Sequence, residues 1–251
     1  MIERIKNLRT KLINRKPSVG AWIQIPHESI VEIFASEGYE WIVIDLEHGS
    51  ISVHQLPGLF RTIEYYNSLP LARLTSDSPI EIKRVLDAGA RGIIIPNIES
   101  KNQLQEVILN SKWPPAGKRG VGFSRSNIYG KKFTSYSIEA QEPIIIGMIE
   151  SKKGVDNIDE ILQVKGLDAI LIGPYDLSGS LGITADFNNK EFQNSLKKIK
   201  ASADKYEIAL GIHIIEPEQS ELINKINEGY SFLPFSLDSY MLNKVATNPL
   251  K

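Results

Sequence analysis

Four short apolar runs in the chain end in side chains able to do chemistry: Asp45-Leu46-Glu47-His48-Gly49, Arg73, Glu150, and Gly173-Pro174-Tyr175-Asp176-Leu177-Ser178. A charge at the end of a buried strand is costly to desolvate unless a partner or a metal meets it. Several such charges on one rim imply one shared site. Glu150 and Asp176 are hard oxygen donors of the kind that hold Mg2+ or Mn2+ together with waters and substrate oxygens. The competing reading pairs Glu150 with Lys152 or Lys153 and makes Asp176 a helix cap. His48 is the candidate general base, histidine being the side chain that titrates nearest neutrality, and Asp87 could orient it. The alternative for His48 is a loop histidine bonded to Asp45 or Glu47. Arg73 presents an always-charged, forked donor suited to a carboxylate or a developing enolate oxygen, and a bridge to Asp45 or Glu150 is compatible with that role. The other histidines are weaker: His54 begins a helix, and His213 reads as barrel filling.

Absences narrow the mechanism. None of the apolar runs contains a lysine, so no desolvated amine is placed for a Schiff base, and enolate stabilisation falls to a metal. With no cysteine there are no disulfides, thiolate metal sites or thiol nucleophiles. A phosphate-binding glycine loop is missing at every strand-to-helix turn; the nearest match, at 117–122, follows a proline-rich loop. The net charge of −1, from 29 basic and 30 acidic residues, gives no footprint for nucleic acid or an anionic membrane, and the expected partner is a small molecule. The N-terminus reads as an amphipathic helix, no apolar run approaches the roughly 20 residues of a membrane span, and a cytoplasmic location is the default expectation.

These side chains need a scaffold. Gly38, Gly89, Gly166 and Gly229 each follow an amphipathic stretch of helical period and precede a short apolar run, which reads as helix, left-handed glycine, buried strand. The four runs are 38–45, 89–96, 166–173 and 229–236; four more lie at 19–25, 71–74, 144–149 and 209–215. Helical patterns fall between them, at 28–37, 54–66, 78–88, 101–110, 157–164, 190–206 and 218–228. The expectation is one α/β domain over 1–251, a (β/α)8 TIM barrel; an open doubly wound sheet shares the local pattern. Residues 113–137 show no clear periodic element, and Lys118, Arg119 and Arg125 there read either as recognising an anionic substrate or as solvated surface.

Gly20-Ala21-Trp22, Ile44-Asp45-Leu46-Glu47-His48-Gly49, Arg119-Gly120-Val121-Gly122, Met148-Ile149-Glu150 and Ile172-Gly173-Pro174-Tyr175-Asp176-Leu177-Ser178 resemble the motifs of the HpcH/HpaI aldolases, over nearly the whole chain. That family includes 4-hydroxy-2-oxoheptanedioate aldolase and 2-dehydro-3-deoxyglucarate aldolase. The resemblance implies a class II lyase that cleaves a 4-hydroxy-2-oxo acid reversibly to pyruvate and an aldehyde. It also implies a hexamer, a trimer of dimers with the C-terminal helix exchanged between subunits. By it, Glu150 and Asp176 bind the divalent ion (Mg2+, Mn2+ or Co2+), which chelates pyruvate, and Arg73 holds the oxygen that becomes the enolate. His48, supported by Asp45 and by Asp87 of a neighbouring subunit, manages the proton on the aldehyde-derived hydroxyl, while Met148, Gly173, Pro174 and Tyr175 complete the substrate site. Met148 stands where the family pattern has Gln, and Tyr175 where some members have Ala, so acceptor choice is expected to differ. The alternatives are an oxaloacetate decarboxylase or citrate-lyase-like enzyme using the same enolate, and a decayed barrel serving as a binding or assembly module.

Overall fold

The computed structural model describes residues 1–250. Eight strands form: β1 (Ser18–Ile23), β2 (Trp41–Asp45), β3 (Leu69–Arg73), β4 (Gly92–Ile95), β5 (Ile144–Ile149), β6 (Ala169–Ile172), β7 (Ala209–Ile212) and β8 (Phe232–Pro234). The helices are α1 (Ile2–Ile13), α2 (Glu28–Ser36), α3 (Leu56–Tyr65), α4 (Pro79–Ala88), α5 (Lys101–Ser111), α6 (Phe133–Glu139), α7 (Lys152–Asp156), α8 (Ile158–Ile161), α9 (Pro174–Ser180), α10 (Lys190–Lys205), α11 (Gln219–Asn227) and α12 (Asp238–Val245). All strand pairs are parallel, and the sheet closes where β1 meets β8 in the register Ser18↔Phe232, Val19↔Leu233 and Gly20↔Pro234. That closure decides for the barrel over the open sheet. Each of the four glycines read as helix stops has positive φ, including Gly89 at 119°, the left-handed cap of α4. Among the described residues, no helix is long and apolar enough to cross a membrane.

Strand side chains alternate between faces, so each strand contributes one set of residues to the barrel interior and the other to the space under the helices. Trp22, Trp41, Val43, Leu69, Leu71, Ile94, Ile144, Ile146, Met148, Ala169, Leu171, Ala209 and Phe232 fill the interior. The intervening residues, such as Ile42, Ile44, Ile93, Ile145 and Ile170, pack outward against the helices. Helix α1 closes the lower end of the barrel, adding Ile5, Leu8 and Leu12 to the interior cluster. It is pinned there by Arg9, whose Nε donates to Asp168 at 2.6 Å.

The 113–137 stretch is more ordered than its composition suggests. It carries a 3-10 turn at Arg125–Asn127 and leads into α6, over a small apolar cluster of Trp113, Tyr136 and Ala140. Neither reading of its two arginines holds. Arg119 is buried over Trp113 and donates to the Tyr136 hydroxyl at 3.1 Å, and Arg125 is buried in an ion pair with Glu64. Lys118 pairs with Glu106 at the surface, 2.5 Å apart. The arginines fasten the loop to the barrel wall.

Near the bottom of the interior, Trp41 stacks on Phe232 with centroids 4.1 Å apart and donates from Nε1 to Ser18 Oγ at 2.9 Å. A Cβ on Gly20 would lie 2.0 Å from the Trp41 ring. Gly20→Ala is therefore expected to destabilise the fold by about 1–3 kcal/mol through overpacking. Chemical denaturation measures this; an unchanged midpoint would contradict the packing described.

Candidate active site

The interior alternation runs past the strand ends onto the carboxyl rim, where a barrel collects its functional groups. Continuing inward-facing positions two residues at a time from Trp22, Val43, Leu71, Met148, Leu171 and Gly211 reaches Gln24, Asp45, Arg73, Glu150, Gly173 and His213. A cleft of about 380 Å³ opens here, lined by Gln24, His48, Arg73, Met148, Gly173, Pro174, Tyr175, Asp176, His213 and Tyr240, with Ile172, Ile215 and Leu237 as its apolar wall.

Asp45 is the anchor of the rim. Fully buried, it accepts from Arg73 Nε at 2.8 Å and Nη2 at 2.6 Å, from Gln24 Nε2 at 2.9 Å, and from the backbone N–H groups of Glu47 and His48 at 3.1 and 3.3 Å. Burial alone would push its carboxyl up; the hydrogen bonds and charge of Arg73 more than offset that and hold it below the usual carboxylate range. The bidentate pair fixes the guanidinium, while Nη1 lies 2.9 Å from Glu47 in a half-open ion pair. Arginine has five N–H donors, so Arg73 keeps some for a ligand in the cleft. Asp45 supports His48 through the loop backbone, and the His48 side chain stands exposed at the mouth.

Glu150 is buried at the end of β5, and only one of its oxygens is satisfied: Oε1 accepts from Asn97 N at 2.7 Å, and Oε2 has no hydrogen-bond partner. Neither lysine competes for it, since Lys152 pairs with Glu191 at 3.6 Å and Lys153 with Glu99 at 3.0 Å. Room for the unsatisfied oxygen comes from Gly173, where a Cβ would lie 2.4 Å from Oε2. Burial first, and then the negative charges of Glu47 and Asp176, push the Glu150 carboxyl up to about 7. Asp176, in the first turn of α9, is exposed to the cleft. Among the described residues, no group of three or more His, Asp or Glu side chains forms a metal cage. Two carboxylates with an open side fit a hexacoordinate ion that keeps waters and substrate oxygens, the usual manner of holding Mg2+.

Asp87 is not in this cleft. It sits in the last turn of α4, half-buried, where burial pushes its carboxyl up against the opposing charges of Arg119 and Lys83. His27 caps α2, accepting from Ser29 N at 3.1 Å. His213, expected to fill the barrel, instead lines the cleft, its ring 4.8 Å from that of Trp22. Burial, aided by the charge of Arg73, pushes its imidazole down to about 4. Tyr240 reaches the cleft from α12, whose first turn is tied to the end of β1 of its own chain: Asp238 accepts from Gln24 N and Ile25 N at 2.8 and 2.9 Å. Leu242 and Val245 on that helix are exposed.

The family model for HpcH/HpaI aldolase/citrate lyase matches residues 18–241. The chain belongs to this family. It is 32% identical over 217 residues to a 2-keto-3-deoxy-L-rhamnonate aldolase of Klebsiella pneumoniae, covering 84% of this chain and 79% of that relative. An HpcH/HpaI aldolase/citrate lyase family protein of Burkholderia cenocepacia superposes with a TM-score of 0.89 at 28% identity, over 95% of each chain. The citrate synthase SbnG superposes with a TM-score of 0.80 at 28% identity, over 94% of this chain and 93% of that one. The aldolases and citrate lyases of the family are enzymes of carbon–carbon bonds.

The half-satisfied Glu150 has a measurable consequence. Its folded pKa is raised from 4.5 to about 7, so in protein stripped of cations the unfolded state releases this proton first as pH rises, and stability is lost between those values. Glu150→Gln cannot ionise and is expected to gain on the wild type by about 3 kcal/mol between about pH 5 and about pH 8. Urea denaturation in chelator at the two pH values checks this, and a difference that does not change with pH would refute it.

Proposed function

We propose that this chain catalyses the reversible, divalent-metal-dependent cleavage of a 4-hydroxy-2-oxo acid to pyruvate and an aldehyde. The observation that carries the reading is Glu150 Oε2, buried without a partner beside the space left by Gly173 and within electrostatic reach of Asp176 and Arg73, both of which line the cleft. Glu150 and Asp176 would hold Mg2+, Mn2+ or Co2+, and such an ion supplies Lewis-acid stabilisation of negative charge on the keto acid. Arg73, fixed by Asp45, donates to the oxygen on which the enolate charge develops. His48, at the mouth, takes the proton of the C4 hydroxyl as the C3–C4 bond breaks; the bonding electron pair passes into the enolate, which is then protonated at C3 to give the methyl group of pyruvate. Gly173, Pro174, Tyr175 and Met148 shape the substrate pocket.

A hexameric assembly belongs to the same proposal. Its support is the exposure of Val121, Phe123, Tyr129, Leu242 and Val245, and the position of Asp87, which can approach a His48 only across a subunit boundary.

The test is exchange of the pyruvate methyl protons with solvent deuterium, followed by NMR. Exchange is expected with Mg2+, Mn2+ or Co2+ and is expected to stop in chelator and in Glu150→Gln. A folded protein that exchanges nothing with any of the three ions overturns the reading. The similarity to SbnG favours one alternative, a reaction of the same enolate with or from oxaloacetate or a citrate-like acid. Pyruvate release from oxaloacetate that outpaces cleavage of every 4-hydroxy-2-oxo acid offered would select it. Arg73→Lys keeps the charge but loses the fork, and is expected to lower kcat/KM by about 100-fold or more; an unchanged kcat/KM would remove Arg73 from the enolate site.

A further inference from the structure

The one satisfied oxygen of Glu150 owes its partner to a residue in an uncommon conformation. Asn97 lies just beyond the end of β4, after Pro96, and has φ 51°, in the left-handed region that side chains other than glycine, asparagine and aspartate rarely enter. Its N–H donates to Glu150 Oε1 at 2.7 Å, and its carbonyl oxygen accepts from Gln103 Nε2 at 3.0 Å. Both contacts come from the backbone, and the side chain is exposed. What counts at this position is the direction of a peptide N–H.

The loop that carries this N–H is clasped to β5 on both sides of Glu150. Ile98 N donates to Met148 O at 3.0 Å, and the Glu99 carboxylate accepts from Ser151 Oγ at 2.8 Å and Lys153 Nζ at 3.0 Å. Asn157 Nδ2 donates to Glu99 O at 2.8 Å, and a Cβ on Gly154 would lie only 2.8 Å from Ile98 O. Gln103, in the first turn of α5, braces the loop: its Oε1 accepts from Glu99 N at 2.8 Å while Nε2 donates to Asn97 O and, at 3.2 Å, to Asp77. The Asn97 N–H can turn only by breaking bonds on either side of it. The consequence falls on Glu150: a carboxylate held at Oε1 keeps Oε2 in one direction, beside the space left by Gly173, instead of rotating to offer either oxygen.

We propose that Asn97 is a positioning residue for cation capture: its left-handed backbone, braced by Gln103, engages Glu150 Oε1 and so fixes Oε2 as the oxygen offered to a divalent ion. This rests on the metal-dependent reading above and deepens it by naming what aims the ligand. The requirement at 97 is for a conformation and not for an amide side chain. Glycine enters the left-handed region freely and serves there equally, whereas a β-branched residue is driven back to negative φ and swings the N–H away from Glu150.

The experiment titrates Mn2+ into the full-length protein and follows the EPR signal of the free ion, in the wild type, Glu150→Gln, Asn97→Gly, Asn97→Val and Gln103→Leu. Asn97→Gly should bind within about two-fold of the wild type. Asn97→Val should bind about 10-fold or more weakly, the usual cost of losing a group that hydrogen-bonds a metal ligand. Gln103→Leu, which removes the brace and leaves Asn97 itself in place, should weaken binding in the same direction. Pyruvate methyl exchange in Asn97→Val should climb back toward the wild-type rate as Mn2+ approaches saturation, the mark of an effect on affinity. Three results overturn the proposal: unchanged Mn2+ affinity in Asn97→Val or Gln103→Leu, exchange that stays low at saturating Mn2+, or an equal loss in Asn97→Gly and Asn97→Val, which would assign the role to the exposed amide. If Asn97→Val fails to fold, the Gln103→Leu affinity decides alone. The two levels of argument fail differently: binding that Glu150→Gln abolishes but Asn97→Val and Gln103→Leu leave intact sinks only the Asn97 assignment, whereas a wild type that binds no Mn2+, or binds it as well in Glu150→Gln, sinks the metal-dependent reading and this inference with it.

Discussion

A two-residue alternation, forced into a closed ring of eight strands, governs this molecule. Once β1 pairs with β8, every strand must turn one set of side chains to a common axis, and no register slip is open to it without exchanging core for surface. The same parity that stacks Trp41 on Phe232 low in the interior delivers Asp45, Arg73, Glu150 and His213 to the rim. Core and site are consecutive layers of a single arrangement.

At the rim, stability and chemistry divide between two acids. Asp45 is saturated with donors and pins Arg73, so its buried charge is compensated inside the fold. Glu150 is the opposite case: one oxygen is satisfied by Asn97 and the other by nothing, with further negative charge close by. A buried carboxylate left so is unfavourable for folding and favourable for capturing a cation, the exchange between stability and function that active sites commonly make.

The sequence announces the scaffold clearly, because glycine stops and buried aliphatic runs are local signals. It leaves closure open, since β1 and β8 are separated by some two hundred residues and the barrel and the open sheet share every local pattern. Charged rim residues are legible because Asp45, Arg73, Glu150 and Asp176 break the apolar runs they follow. Gln24 and His213 are harder to see, being neutral groups at strand ends that resemble filling; the signal that finds them is parity, counted from Trp22 and Gly211. Tyr240 is invisible at that level, because α12 brings it over the mouth by tertiary packing. The burial of Arg119 and Arg125 is hidden from the sequence for a related reason: a basic loop looks solvated or ligand-binding until Trp113, Tyr136 and Glu64 pack against it.

Helix α1 gives the barrel a floor. With Ile5, Leu8 and Leu12 plugging one end and Arg9 bolted to Asp168, the molecule is a cup rather than a tube. Whatever enters must depart by the same doorway, so two fragments made at the rim cannot leave by opposite exits. The fragment nearer the lip blocks the deeper one, and departure becomes a queue whose order is set by depth in the vessel.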